Sequence, residues 1–389
     1  MMPRPEVSAA RGCADMQIYI HVPFCHRKCR YCAFVSWPAR SLDRDIYLEH
    51  LLLELGFWSK RLTQPRITTV FIGGGTPSCL SLSQVERILE GLHFGFNLDP
   101  GLEITIEANP ESLWSVSALT QMRRSGVTRL SLGGQSFSDP ALSWLGRNHS
   151  AADISKAVDR AAQAGFENIS LDLLWGLPGQ TVHSWLNELD RARSHEISHL
   201  SCYGLTPEPE TPLAYDLQSG RAFLPEEDEQ AGMYVAGAEF LEEHGFLQYE
   251  ISNFARNKAV CAHNAATWQG RDYLGCGPAA VSTLKGRRWT NPQTLEGYVR
   301  AVQSGELGHP FEALTREQRV RESVMLTLRT SQGLSCRYYF QLTGQDFCRQ
   351  HCQVLRELTD QGLVTVAAGR VALTRQGMVL CDAILERLL

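Results

Sequence analysis

Three cysteines fall within eight residues, Cys25-His-Arg-Lys-Cys29-Arg-Tyr-Cys32, and the next one, Cys79, is far along the chain. Thiolates are soft ligands, and three of them at C-x3-C-x2-C can hold three irons of a [4Fe–4S] cube. The fourth iron then keeps an exchangeable position, which is what separates catalytic metal centres from closed structural ones. A chelating amino acid, bound through its amine and carboxylate, would fill that position. The alternative is a zinc knuckle that recruits His21 or His26 as its fourth ligand. Such sites ordinarily pair two short spacings, and no second pair lies nearby.

The elements that must carry this loop alternate in type. Short β-branched runs at 16–22, 67–73, 102–108, 127–133, 168–174 and 198–204 are separated by helical patterns at 43–62, 82–93, 112–125, 151–164 and 181–194. Strand and helix at this spacing imply parallel strands with right-handed crossovers. Six units without an evident seventh and eighth predict an α/β fold, a partial (β/α)6 barrel. The strands run into HVPFCHRKC, GGGTPS, EANPES, GGQSF, WGLPGQT and YGLTPEPET. In a parallel barrel those ends share one face, where such folds place their chemistry.

After about residue 205 the pattern loosens. A helix with an acidic start is expected at 224–246, and a hairpin around Lys285-Gly-Arg-Arg-Trp289. From 315 two helical stretches and a two-stranded turn predict a winged-helix-like module in a C-terminal α+β region. The expected division is a loose tail at 1–15, the barrel at 16–210, a linking region at 211–312, and the C-terminal domain at 313–389.

A net charge of −5 gives no general reason to expect nucleic-acid binding, and the wing carries little basic charge beyond Arg370 and Arg375. No run of eighteen apolar residues predicts a transmembrane helix. Twelve cysteines would suit a disulfide framework. Most are scattered through apolar or helical segments, however, and no export signal is evident, so a reducing cytoplasm is expected.

The C-x3-C-x2-C motif, with Tyr31 just before its third cysteine, resembles the radical SAM superfamily. The longer stretch IYIHVPFCHRKCRYCAF resembles that superfamily's coproporphyrinogen oxidase-like branch, and the likeness runs from about residue 16 to the end. It implies that S-adenosylmethionine (SAM) chelates the unique iron. It also implies SAM-binding roles for Tyr19, for Gly74, Gly75 and Thr76 in GGGTP, and for Glu107, Gln135, Arg147 and Asp172. For each alone, a helix cap or surface hydrogen bond is the alternative.

Phe34 stands where the branch's oxygen-independent dehydrogenase carries a fourth cysteine. It departs from that enzyme and is grouped with the cofactor-binding residues. YEISNFA (249–255) and CAHN (261–264) are similar instead to a haem-binding chaperone group of the branch, which typically carries HNxxYW. Here the motif is His263-Asn264-Ala-Ala-Thr267-Trp268, with threonine for tyrosine.

The resemblance implies one haem, with His263 as candidate axial ligand, Cys261 as a second, and a hydrogen-bonded structural histidine as the alternative. No CxxCH is present, so c-type attachment is not indicated. The implied function is a haem chaperone serving an acceptor protein, with contact at a membrane surface possible through that acceptor. The alternative is a coproporphyrinogen dehydrogenase or another radical SAM enzyme acting on a tetrapyrrole.

Overall fold

The computed structural model describes residues 15–389, so all of the expected tail but Asp15 lies outside the described residues. Six parallel strands stand side by side in chain order: β1 (Asp15–Val22), β2 (Arg66–Gly74), β3 (Asn97–Ala108), β4 (Arg129–Gln135), β5 (Asn168–Trp175) and β6 (His199–Gly204). Between them run α1 (Ser41–Arg61), α2 (Leu82–Gly95), α3 (Val116–Arg124), α4 (Asp139–Leu145), α5 (Ala151–Gln163) and α6 (Val182–Arg193). Ser81, Ser115, Ser138 and Thr181 cap their helices by accepting a backbone N–H three residues on.

Period-two alternation gives the strands two different faces. Ile18, Ile20, Val70, Ile72, Ile104, Ile106, Leu130, Leu132 and Leu171 are buried in the main apolar core. Burial of each such side chain contributes about 1.5–3 kcal/mol. The alternate positions are polar: Gln17, Thr69, Thr105, Arg129, Ser131, Ser170 and His199 are buried too. The barrel interior is therefore hydrophilic.

The chain adds α7 (Pro212–Gln218) and α8 (Glu227–Glu243), then β7 (Asn253–Ala255), antiparallel to β6. After α9 (Ala262–Trp268), β8 (Tyr273–Cys276) joins the far side of β1 in parallel, a seventh parallel strand that the sequence pattern did not reveal. Antiparallel β9 (Val281–Leu284) and β10 (Arg287–Thr290) follow, forming the expected hairpin. The twelve-stranded sheet remains open, with Leu247–Gln248 at one edge and Glu312–Ala313 at the other. The helix expected at 112–125 begins only at Val116, because Pro110–Ser112 forms a 3-10 turn and Ser115 supplies the cap.

A second apolar core, including Val324, Leu328, Phe347, Leu355, Val371 and Leu385, lies under a three-stranded antiparallel sheet. Its hairpin joins Val364–Ala367 to Arg370–Leu373 through Ala368 and Gly369, both at positive φ. Two positive-φ residues give a turn whose twist matches that of the strands. This module meets α8 through Arg375, which pairs with Glu239 and Glu242. Tyr234 also touches Met378. No helix among the described residues is long and apolar enough to cross a membrane.

Candidate functional site

Eleven of the thirteen expected site residues line one cavity of about 470 Å³ at the C-terminal ends of the strands. They are Cys25, Cys29, Cys32, Phe34, Gly74, Gly75, Thr76, Glu107, Gln135, Arg147 and Asp172. Tyr19 and His263 are not among them.

The cysteine loop is held at both ends by its own backbone. Phe24–Cys25 pairs in parallel with Trp37–Pro38, and Trp37 N–H donates to Pro23 O at 2.7 Å. Midway, Arg30 N–H donates to Leu145 O at the end of α4, and Leu213 N–H of α7 donates to Arg30 O. The Arg30 side chain pairs with Asp216. His21 anchors the loop from within by hydrogen bonding through Nε2 to Val35 O at 2.9 Å.

Two side chains approach the thiols. Thr76 Oγ1 lies 3.4 Å from Cys25 Sγ, and Arg147 Nη1 lies 3.3 Å from Cys29 Sγ. Arg147 Nη2 also donates to Asn109 Oδ1 and Gly133 O, both at 2.7 Å. Asn109 Nδ2 donates to Thr76 Oγ1, so one asparagine joins both thiol-facing groups. Sequence reasoning passed over Asn109. Its signal was its place two residues after Glu107, on the same face at the end of β3.

The glycine loop is bare for a steric reason. Gly74 has φ +109°, and a Cβ there would lie 2.5 Å from His21 Nδ1; one on Gly75 would lie 2.7 Å from Phe24 O. Neither position accommodates a side chain without movement, and the backbone stays open to the cavity.

Two carboxylates face each other across the interior. Gly74 N–H donates to Glu107 Oε2 at 3.1 Å, and Ser131 Oγ donates to Asp172 at 3.2 Å. Desolvation, and secondly the Asp172 charge, push Glu107 up to about 8. Burial likewise raises Asp172, against hydrogen bonds from serines and the Arg129 charge. Such a floor favours a cation, which would restore both carboxylates to their ionised form.

This donor set fits a cluster completed by a small chelator: three thiols on one loop, a bare backbone, and acidic groups placed for an ammonium or sulfonium. Among the described residues, no three His, Cys, Asp or Glu side chains converge on a single-ion site.

Tyr19 lies behind the cavity, its hydroxyl 3.1 Å from His21 Nδ1 and its ring stacked on Phe71. His263 is not brought to the cysteines. It sits on α9, its Nδ1 2.9 Å from Thr69 Oγ1 and its ring centroid 5.2 Å from that of Phe71. Glu103 accepts from the N–H groups of Ala262 and His263 and from Cys261 Sγ. Thr69 and Glu103 are cross-strand partners five and four residues before the site positions Gly74 and Glu107. α9 therefore meets the opposite end of the barrel. Burial and the charge of Arg129 lower His263 to about 4. The ring is a buried, hydrogen-bonded imidazole that lies outside the cysteine cavity. Thr267, which replaces the family tyrosine, bonds only to its own helix at His263 O.

A model of the radical SAM superfamily matches residues 19–192, and a model of the HemN C-terminal domain matches 314–380. The heme chaperone HemW of Bacillus subtilis is 36% identical over 366 residues, covering 93% of this chain and 96% of that protein. HemW of Mycobacterium tuberculosis is 34% identical, covering 96% and 94%. The mitochondrial radical S-adenosyl methionine domain-containing protein 1 of Mus musculus is 33% identical, covering 100% and 89%. Among solved structures, Escherichia coli coproporphyrinogen III oxidase (HemN) superposes with a TM-score of 0.81 at 24% identity, covering 97% of this chain and 90% of that one. This last likeness concerns the fold.

Proposed function

This chain belongs to the HemW family of the radical SAM superfamily, and from that membership we propose that it is a haem chaperone. It carries a SAM-completed [4Fe–4S] cluster and one haem, and it passes the haem to an acceptor protein. Cys25, Cys29 and Cys32 hold three irons. When bound, the cluster and SAM together supply one-electron cleavage of a sulfonium. The Gly73–Gly75 backbone receives the amino-acid end of SAM, Glu107 and Asp172 balance its positive charge, and Arg147 braces the Cys29 thiolate. We retain the division into barrel (16–210), linking region (211–312) and C-terminal domain (313–389). The chaperone works in the cytoplasm.

The observation that carries this reading is Phe34. The cavity keeps three cysteines and the SAM-facing groups, yet places an exposed phenyl ring where the dehydrogenase has a thiol. The test is anaerobic cluster reconstitution followed by parallel incubation with haem and with coproporphyrinogen III. Stoichiometric haem binding, with no decarboxylated product in the presence of SAM and reductant, is expected. Accumulation of protoporphyrinogen IX with methionine and 5′-deoxyadenosine would overturn the proposal and make the protein a dehydrogenase.

A further inference from the structure

We infer that the haem docks at the lip of the cysteine cavity, its porphyrin ring against Phe34 and its two propionates facing Arg27 and Lys28. This rests on the haem-chaperone reading and adds a location to it.

Phe34 lines the cavity and is 64% exposed, and Tyr203, on the same lining, is 40% exposed. Large aromatic faces left in water at one opening mark a surface that a flat apolar partner covers. Arg27 and Lys28 line the same opening and are exposed. Among the described residues neither forms an ion pair. Glu208 is the exposed carboxylate of this lining, so two cations stand against one anion there.

The floor has the opposite character, because Glu107 and Asp172 lie together there and favour a cation. Charge therefore sorts the ligands by depth. A cationic group goes to the floor, and a flat, apolar, doubly anionic molecule stays at the lip. The cations lie within the cysteine loop and Phe34 lies two residues beyond it, so the porphyrin covers the loop that carries the thiols.

The test uses the full-length chain with its cluster reconstituted, titrated by absorbance with haem, metal-free protoporphyrin IX and haem dimethyl ester. Ring and carboxylates, not iron, make these contacts, so protoporphyrin IX should bind within about tenfold of haem. Phe34→Ala should weaken both by about tenfold, and Phe34→Tyr, which keeps the ring, should restore them. The double variant Arg27→Ser, Lys28→Ser should weaken both by about tenfold while leaving the affinity for the dimethyl ester unchanged. Iron and sulfide content verifies that the loop is intact.

If the wild-type chain binds no haem, the chaperone reading itself falls. If it binds haem but neither variant alters the affinity, or metal-free porphyrin does not bind, the lip assignment alone falls.

Discussion

Gly74 shows how narrowly single residues are specified at this site. Alanine there would meet His21 while being held at φ +109°, so Gly74→Ala should destabilise the chain by about 1–3 kcal/mol and weaken SAM binding. Chemical denaturation and SAM titration of the reconstituted protein measure the two effects. Glu107 gives a pH dependence. Its folded pKa of about 8 exceeds the unfolded value of about 4.3, so the native state holds this proton more tightly. The resulting stabilisation is complete below the unfolded value and is lost as pH rises through the folded one. Asp172, Arg129, Tyr19 and the Gly74 N–H are the groups facing it. In cofactor-free protein, Glu107→Gln should flatten the fall in melting temperature between about pH 6 and 8.5. An unchanged slope would show that another buried acid dominates. Glu107, Asp172, Arg147 and Gly74 were named by the family resemblance, and all four line the cavity, although Arg147 follows α4 and not a strand. Asn109 was not, since a lone asparagine in a turn has many uses. For His263 the motif named the residue but gave no depth within the barrel.

At the scale of elements, Glu103 ties β3 to the start of α9 by accepting two backbone N–H groups. Glu103→Ala should cost about 1–2 kcal/mol, as loss of a helix cap does. Hydrogen exchange in 262–268 should rise, and Glu103→Gln should recover part of the loss. Equal exchange in the variant would mean that packing alone holds the helix. The six strands and most crossover helices could be read from β-branched runs and helical periodicity, because each element signals locally. β8 could not. Its pairing with β1 is decided by a contact between residues more than 250 positions apart, such as Gln17 with Tyr273. Short α4 and α7, which brace the cysteine loop, were also missed, since seven residues carry little periodicity.

For the whole molecule, stability among the described residues is divided between two large apolar cores and a small cluster around Leu145, Leu174 and Leu213. Arg375→Ala removes pairs whose carboxylates are exposed and should change stability by less than about 1 kcal/mol by denaturant titration. Cys25→Ala should abolish iron incorporation while the circular dichroism and melting profile of the cofactor-free chain stay close to wild type. Loss of the fold would show that the thiol is a structural requirement. That expectation follows from the backbone clasp between Phe24–Cys25 and Trp37–Pro38, which ties the loop by peptide hydrogen bonds that the Cys25 side chain does not make. The same clasp has a consequence for the protein's life history. A loop whose ends are tied by peptide hydrogen bonds should take up a metal centre again on the same molecule after oxidants have stripped it, so damage there calls for repair and not for replacement of the chain.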